Sequence, residues 1–463
     1  MARTPAEPPR GAGMRDMTLA LRSVKSALAA SHTPISPITI TGTITSVQGS
    51  HIVARLPRAS VGDMCWIETH NKRLIGGQIV SFTGNSFSLA LFDQPEGIFP
   101  GALVRTHATQ ITIPIGYSLL GRTISALGAP IDGSSIPIAD TEMRSIYATP
   151  PAATARPLVD TKIPTGIRAI DGFCTLGRGQ RIAISAPAGV GKSSLLGAIG
   201  RNAQVDIIVV ALVGERGREV REFIEETLGN EGMSRSVVVA ATSDEPSLTR
   251  QIAPLTATTV AEYFRDRGLN VLLIVDSLTR MARAIRETSL AVGELPVRHG
   301  YTNSVYTLLP RLIERAGTTS KGSITALYTV LTNAENDIDP LGEEIKSLLD
   351  GHIALSQELA TMGVHPAIDV TRSISRLFTR LNSSPHRETA RYLTRALSRY
   401  MKEREIALLG GTPDRELASI LANRDRLLGL ISQESNKSVS LDESHNQMRA
   451  IEELLELPTS LPN

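Results

Sequence analysis

The run Ile182-Ala-Ile-Ser-Ala-Pro-Ala-Gly-Val-Gly-Lys-Ser-Ser-Leu-Leu-Gly197 decides the fold. An apolar strand-like start is followed by a loop of small residues and then by a helical stretch. From Ala186 to Ser193 the loop matches the P-loop pattern except at its first position, where Ala186 replaces Gly. Glycines let the backbone curl round a phosphate with its N–H groups turned inward, and the helix N-terminus behind them adds a favourable dipole. Ala188, Gly189, Val190, Gly191, Lys192, Ser193 and Ser194 are therefore the candidate cradle for ATP. Lys192 supplies a positive charge to the β and γ phosphates, and the Ser193 hydroxyl is a ligand for Mg.

Outward from this loop, further apolar runs alternate with helical stretches: Ile207–Val213, Val237–Ala240 and Val271–Val275. Buried parallel strands alternating with helices imply a doubly wound α/β domain, expected over residues 157–380. Two strand ends carry acids. Asp276 follows Val275, where a carboxylate either reaches the Mg water shell or caps a turn. Glu215 follows Ile207–Val213 within Gly214-Glu-Arg-Gly-Arg-Glu219. It either polarises an attacking water or pairs with Arg216 or Arg218.

Flanking segments differ in texture. Residues 34–110 alternate short β-like runs with Gly, Pro, Asn and Asp, the pattern of a small antiparallel barrel or sandwich. A linker is expected over 111–156. Beyond 380 the pattern is helical, in segments 387–408, 413–431 and 443–456, broken at Gly410-Gly411 and at 432–442. Residues 1–16 read as disordered. Residues 17–31 carry Leu21, Val24 and Leu28 at helical spacing, which suits either a helix packed on its own domain or one that docks a partner.

Bulk properties set limits. The chain has 463 residues, which at about 150 per domain suggests about three domains. A net charge of +2 makes no electrostatic case for nucleic acid or an anionic membrane. Cys65 and Cys174 form neither a disulfide framework nor a zinc site, and suit a reducing cytosol. Ile207–Val213, the longest apolar run, is strand-sized and too short to span a membrane. The first residues do not read as a signal peptide.

Six further blocks carry a family signal: Gly177-Arg-Gly-Gln-Arg181, Gly214–Val220, Asp276-Ser-Leu-Thr-Arg280, Gly293-Glu-Leu-Pro-Val-Arg-His-Gly-Tyr301, Gly322–Val330 and Pro366-Ala-Ile-Asp369. In this order they resemble the protein-export ATPases of type III secretion systems and bacterial flagella, a family similar to the catalytic subunits of rotary ATP synthases. The resemblance covers residues 35–455. It implies a homohexameric ring of barrel, RecA-like ATPase domain and C-terminal helical domain. It assigns the catalytic glutamate to Glu215 and groups Lys192 and Arg216 with it. It places an arginine finger, acting on the neighbouring protomer, at Arg376 in Ser373-Ile-Ser-Arg376. Such a guanidinium neutralises charge on the moving phosphoryl group; the alternative is a surface ion pair. A stator-like regulator at the N-terminus, a central stalk protein, chaperone–substrate complexes at the C-terminal domain and an export gate at the cytoplasmic face of the inner membrane are the implied partners.

Departures from the family pattern are Ala186, Gln357 where an arginine is usual, and His365 where a tyrosine is usual. An imidazole still stacks on adenine, with less area. Of the rivals, a rotary subunit usually carries Thr in place of Gly217. A RecA-like nucleic-acid motor calls for a basic lining and aromatic platforms, against which stand the near-neutral charge and 4% aromatic content. Within the family, Thr319–Val330 leans to the non-flagellar branch.

Overall fold

The computed structural model describes residues 39–107, 109–133, 141–332, 340–408 and 413–455, and only the backbone of 405–408. The expectations for residues 1–33, including the Leu21, Val24 and Leu28 stripe, and for Gly410-Gly411 lie outside the described residues.

Six strands, Ile40–Gln48, His51–Arg55, Met64–Glu68, Leu74–Thr83, Ser86–Leu91 and Leu103–Thr106, close into an antiparallel barrel. Side chains alternate across each strand, so Ile52 and Ala54, or Cys65 and Ile67, point into one apolar interior while their neighbours face outward.

The central sheet has nine strands. Eight run in the order Ile368–Ser375, Gly351–Leu355, Arg181–Ala186, Ser323–Leu331, Asn270–Asp276, Ile207–Glu215, Ser236–Thr242 and Arg122–Ser125, and Gly317–Thr318 pairs with Ser323–Leu331 from the side. Among the eight, only Ile368–Ser375 is antiparallel to its neighbour. Parallel strands buried on both faces must be apolar on both, which is why Ile207–Val213 reads as an unbroken run. Its Ile208, Val210 and Leu212 join the core under the P-loop helix Lys192–Asn202. Its Ile207, Val209, Ala211 and Val213 join the opposite core, under helices Ser247–Arg265 and Leu278–Ala291.

Two flanking segments are more tightly joined to this sheet than the sequence suggests. The stretch 111–156, read as a linker, supplies the edge strand Arg122–Ser125, paired in parallel with Ser236–Thr242. Its Ile111, Ile113, Ile115 and Leu119 are buried in the same core as that sheet face. At the other end, helices Ser384–Leu408, Arg415–Ala422, Arg424–Ile431 and Leu441–Leu454 bury Leu393, Leu397, Leu427, Leu430 and Met448 in the core that also holds Leu195 and Ile199 of the P-loop helix. The stretch 413–431, read as one helical segment, is two helices meeting at Asn423, whose side-chain amide donates to the Ser419 carbonyl at 2.9 Å. The carboxyl ends of the parallel strands, where ligands bind in open α/β sheets, carry Ala186, Glu215 and Asp276.

Candidate nucleotide site

Strand Arg181–Ala186 turns through Pro187–Gly191 into helix Lys192–Asn202. Gly191 caps that helix at φ +86°, a left-handed conformation that L side chains rarely adopt. No atom within 4 Å would meet a Cβ there, so backbone conformation alone demands the glycine. Gly197 is a glycine for the opposite reason. A Cβ would come 1.9 Å from Thr227 Cγ2, because the P-loop helix packs closely on the segment Phe223–Leu228.

Lys192, Glu215 and Asp276 converge. Lys192 Nζ lies 2.5 Å from Asp276 Oδ1 and 3.7 Å from Glu215 Oε1. Asp276 is 2% exposed, and its Oδ1 also accepts from the Thr329 hydroxyl at 2.7 Å. Glu215 is 8% exposed and held from the far side. Arg280 Nη2 donates to Glu215 Oε2 at 3.0 Å, and its Nη1 donates to the Gly214 carbonyl. Glu215 Oε1 is buried without a hydrogen-bond partner. Burial pushes the Glu215 carboxyl up to about 7, helped by the neighbouring Glu219 and Asp276 carboxyls, while Lys192 and Arg280 oppose the rise. A carboxylate poised near neutrality with one free buried oxygen suits a group that polarises water.

The other candidates divide. Ser193 and Ser194 are exposed in the first turn of the P-loop helix, with Ala188 and Gly189 exposed and Val190 buried in the loop before it. The hydroxyl of Ser193 and the carboxylate of Asp276 are hard oxygen donors of the kind Mg takes beside substrate phosphates. Among the described residues there is no cluster of three or more His, Cys, Asp or Glu able to hold a metal unaided. Arg216 is not drawn into the Lys192 cluster: its side chain is 82% exposed and pairs with Glu219 at 3.6 Å. Arg376 is exposed just beyond strand Ile368–Ser375, with its backbone N–H on the Asp350 carbonyl at 2.9 Å. Among the described residues its guanidinium makes no ion pair or hydrogen bond.

His365 does reach the nucleotide cleft. A cavity of about 650 Å³ opens from Gly189, Gly191 and Ser194 and extends to His365, Pro366 and the segment Gln433–Asn436. That size suits a nucleotide. The His365 carbonyl accepts from the Gln433 N–H at 2.6 Å, which ties the C-terminal segment to the histidine. A larger cleft of about 910 Å³, walled by Arg387, Arg391 and Arg395, contains none of the candidate residues. Sequence reasoning did not single out Arg280, Thr329 or Gln433–Asn436. The first two lie in the quoted family blocks, but the contacts that give them roles are visible only in the fold. For Gln433–Asn436 the sequence offers no local signal.

The ATP synthase alpha/beta family nucleotide-binding domain matches residues 166–375. The flagellum-specific ATP synthase of Bacillus subtilis (strain 168) is 40% identical over 408 residues, which are 87% of this chain and 93% of that protein. A type 3 secretion system ATPase of Xanthomonas euvesicatoria is 41% identical over 428 residues, 91% of this chain and 93% of that one. Among solved structures, the assembled ATPase EscN from the enteropathogenic E. coli type III secretion system superposes with a TM-score of 0.84 at 39% identity, covering 89% of this chain and 100% of EscN. EscN in complex with its central stalk EscO gives a TM-score of 0.81 at the same identity and coverage. At such identity over nearly the whole length, this chain belongs to the family of type III secretion and flagellar export ATPases, and its reaction is the hydrolysis of ATP.

Proposed function

We propose that the chain powers a non-flagellar type III secretion system as a homohexameric ring at the cytoplasmic face of the inner membrane, releasing chaperones and feeding unfolded substrates to the export gate. The observation that carries this reading is the division of the site. Lys192, Glu215 and Asp276 converge on one protomer, while Arg376 is exposed and, among the described residues, its guanidinium makes no ion pair. A ring in which each protomer lends Arg376 to its neighbour uses both halves. The assembled EscN and its stalk complex support a ring and a central stalk partner for this chain. Residues 17–31 are proposed to bind a stator-like regulator.

In this scheme the γ-phosphate of ATP meets Lys192, and Glu215 Oε1 orients and polarises the attacking water. Ser193 and Asp276 would hold Mg, which when bound would neutralise phosphate charge. Arg376 from the next protomer faces the equatorial oxygens of the moving phosphoryl group. His365 stacks on the base, and Arg216 acts through Glu219, with which it pairs.

Mixing tests the ring. Arg376→Ala is expected to bind ATP nearly normally and to lose turnover on the order of 10³-fold or more. Mixed with Glu215→Gln subunits, it should regain activity at interfaces that pair an intact Glu215 with an intact Arg376. Normal hydrolysis by Arg376→Ala at high protein concentration would sink the assignment.

A further inference from the structure

Strand Ser323–Leu331 lies between the strand that leads into the P-loop, Arg181–Ala186, and the strand that ends in Asp276. Every residue in it but Leu331 is buried. A parallel strand covered on both faces is expected to be apolar on both, yet this one carries Thr325 and Thr329 in its interior, each wholly buried. A buried hydroxyl costs free energy unless it is hydrogen-bonded, and valine has the same shape and suits a strand as well. Each hydroxyl therefore needs a partner that valine could not serve.

Thr325 Oγ1 accepts the Gly179 N–H at 2.8 Å, in the turn ahead of strand Arg181–Ala186. The Thr329 hydroxyl donates to Asp276 Oδ1 at 2.7 Å, with the Val275 carbonyl farther off at 3.4 Å. The shorter contact, to an ionised acceptor, is the stronger one. Lys192 Nζ meets the same Asp276 oxygen at 2.5 Å. Among the described residues Asp276 Oδ2 accepts no hydrogen bond, so the carboxylate is held by one oxygen and offers the other. The two donors differ in stiffness. Lys192 ends a flexible stem, and its charge is also the one that meets the phosphates. Thr329 is β-branched, restricted at χ1 and packed into the centre of the sheet.

We infer that Thr329 is a positioning residue for ATP hydrolysis: its buried hydroxyl holds the Asp276 carboxylate in the orientation that takes Mg beside the nucleotide phosphates. The inference rests on the reading of Asp276 as a Mg ligand.

The test uses the full chain and reads metal binding rather than turnover. ADP is titrated by calorimetry in EDTA and again across a series of Mg concentrations, and the affinity of the ADP complex for Mg follows from the two sets. Comparing variant and wild type in the same buffers cancels the association of Mg with free ADP. In Thr329→Val the Mg affinity should fall about ten- to a hundredfold, with ADP affinity in EDTA unchanged. Thr329→Ser keeps the hydroxyl and should stay close to the wild type. If the valine variant does not fold, Thr329→Ser against Thr329→Ala reads the same hydroxyl. A serine variant that loses Mg affinity as fully as valine or alanine overturns the inference. Equal losses of ADP affinity with and without Mg make Thr329 a packing residue and overturn it too. Asp276→Asn separates the two readings. If it weakens Mg binding and Thr329→Val does not, the inference falls and Asp276 keeps its role. If neither variant weakens Mg binding, Asp276 is not a Mg ligand and both readings fall.

Discussion

At the phosphate end of the cleft Lys192, Glu215 and Asp276 are each held by a second side chain. Asp276 takes hydrogen bonds from Lys192 and Thr329, and Glu215 is clamped by Arg280. At the base end, His365 and Glu434–Asn436 are exposed; their backbone is fixed through Gln433 and through the donation of Arg201 Nη2 to the Ser435 carbonyl at 2.8 Å, and of their side chains Glu434 pairs with Lys437 at the surface. Rigid, buried charge is what stabilises a transition state, because no reorganisation is needed at the moment of reaction. An open, aliphatic pocket with loosely held polar groups adds binding without precision. The difference implies that substitutions at the phosphate end act on turnover, and those at the base end on affinity.

The strongest test of this division is Glu215→Gln. The amide keeps the shape and the Arg280 contact but cannot polarise water as a carboxylate does. We expect kcat to fall by about 10²- to 10⁴-fold with nucleotide affinity retained. Rapid-quench hydrolysis and ADP titration measure the two arms, and hydrolysis at the wild-type rate would remove Glu215 from the chemistry.

Arg280 sharpens the comparison, since it acts on turnover only through Glu215. With the Glu215 carboxyl raised to about 7, its ionised form is lost as pH falls through that value, so kcat/KM should decline on the acid side of neutrality. The Arg280 charge opposes that rise. Arg280→Ala removes the opposition, so the acid limb should move to higher pH and kcat at neutral pH should drop about tenfold. Arg280→Lys should restore part of both. Comparing variant and wild type in the same buffers cancels the titration of ATP itself. An unchanged pH profile would reduce Arg280 to a packing role.

Legibility in the sequence follows the same division. The P-loop, Glu215 and Asp276 each sit at the end of a single apolar strand, so strand, loop and chemistry fall within a few neighbouring residues. The base end joins residues near 190, 365 and 435, and no local pattern announces such a meeting. Strands were legible where both faces are buried, as in Ile207–Glu215, where every residue is buried. Ile368–Ser375, at the sheet edge, is exposed or half-exposed over most of its length, and its Asp369, Thr371 and Arg372 hide the strand. Arg122–Ser125 is only four residues long and its partner strand lies more than a hundred residues later, so the stretch reads as linker. Arg376 and His365 came from the family resemblance and not from their own surroundings.

Gln433→Ala tests whether the base end is a binding element alone. Removing the amide leaves the Arg168 N–H and the Lys437 carbonyl without their partner and the Gly166 carbonyl with the Val439 N–H alone, a cost of about 1–3 kcal/mol for a buried group. The segment that lines the cleft should loosen. We expect KM for ATP to rise several-fold, on the order of fivefold, with kcat nearly unchanged. Equal losses in kcat and kcat/KM would instead tie this segment to the transition state.

The smallest expected effect is that of His365→Ala. An aromatic contact is worth about 0.5–1.5 kcal/mol beyond area, and an exposed imidazole lies at the low end of that range. The His365 carbonyl, which accepts from Gln433, belongs to the backbone and survives the substitution. Affinity for ADP should therefore fall by only about two- to fivefold, and kcat should hold. Calorimetry with ADP, paired with saturating-ATP turnover, separates the two. A loss of affinity approaching a hundredfold would mean that His365 contributes more than a stacking face, and the contrast between a precise phosphate end and a permissive base end would break there.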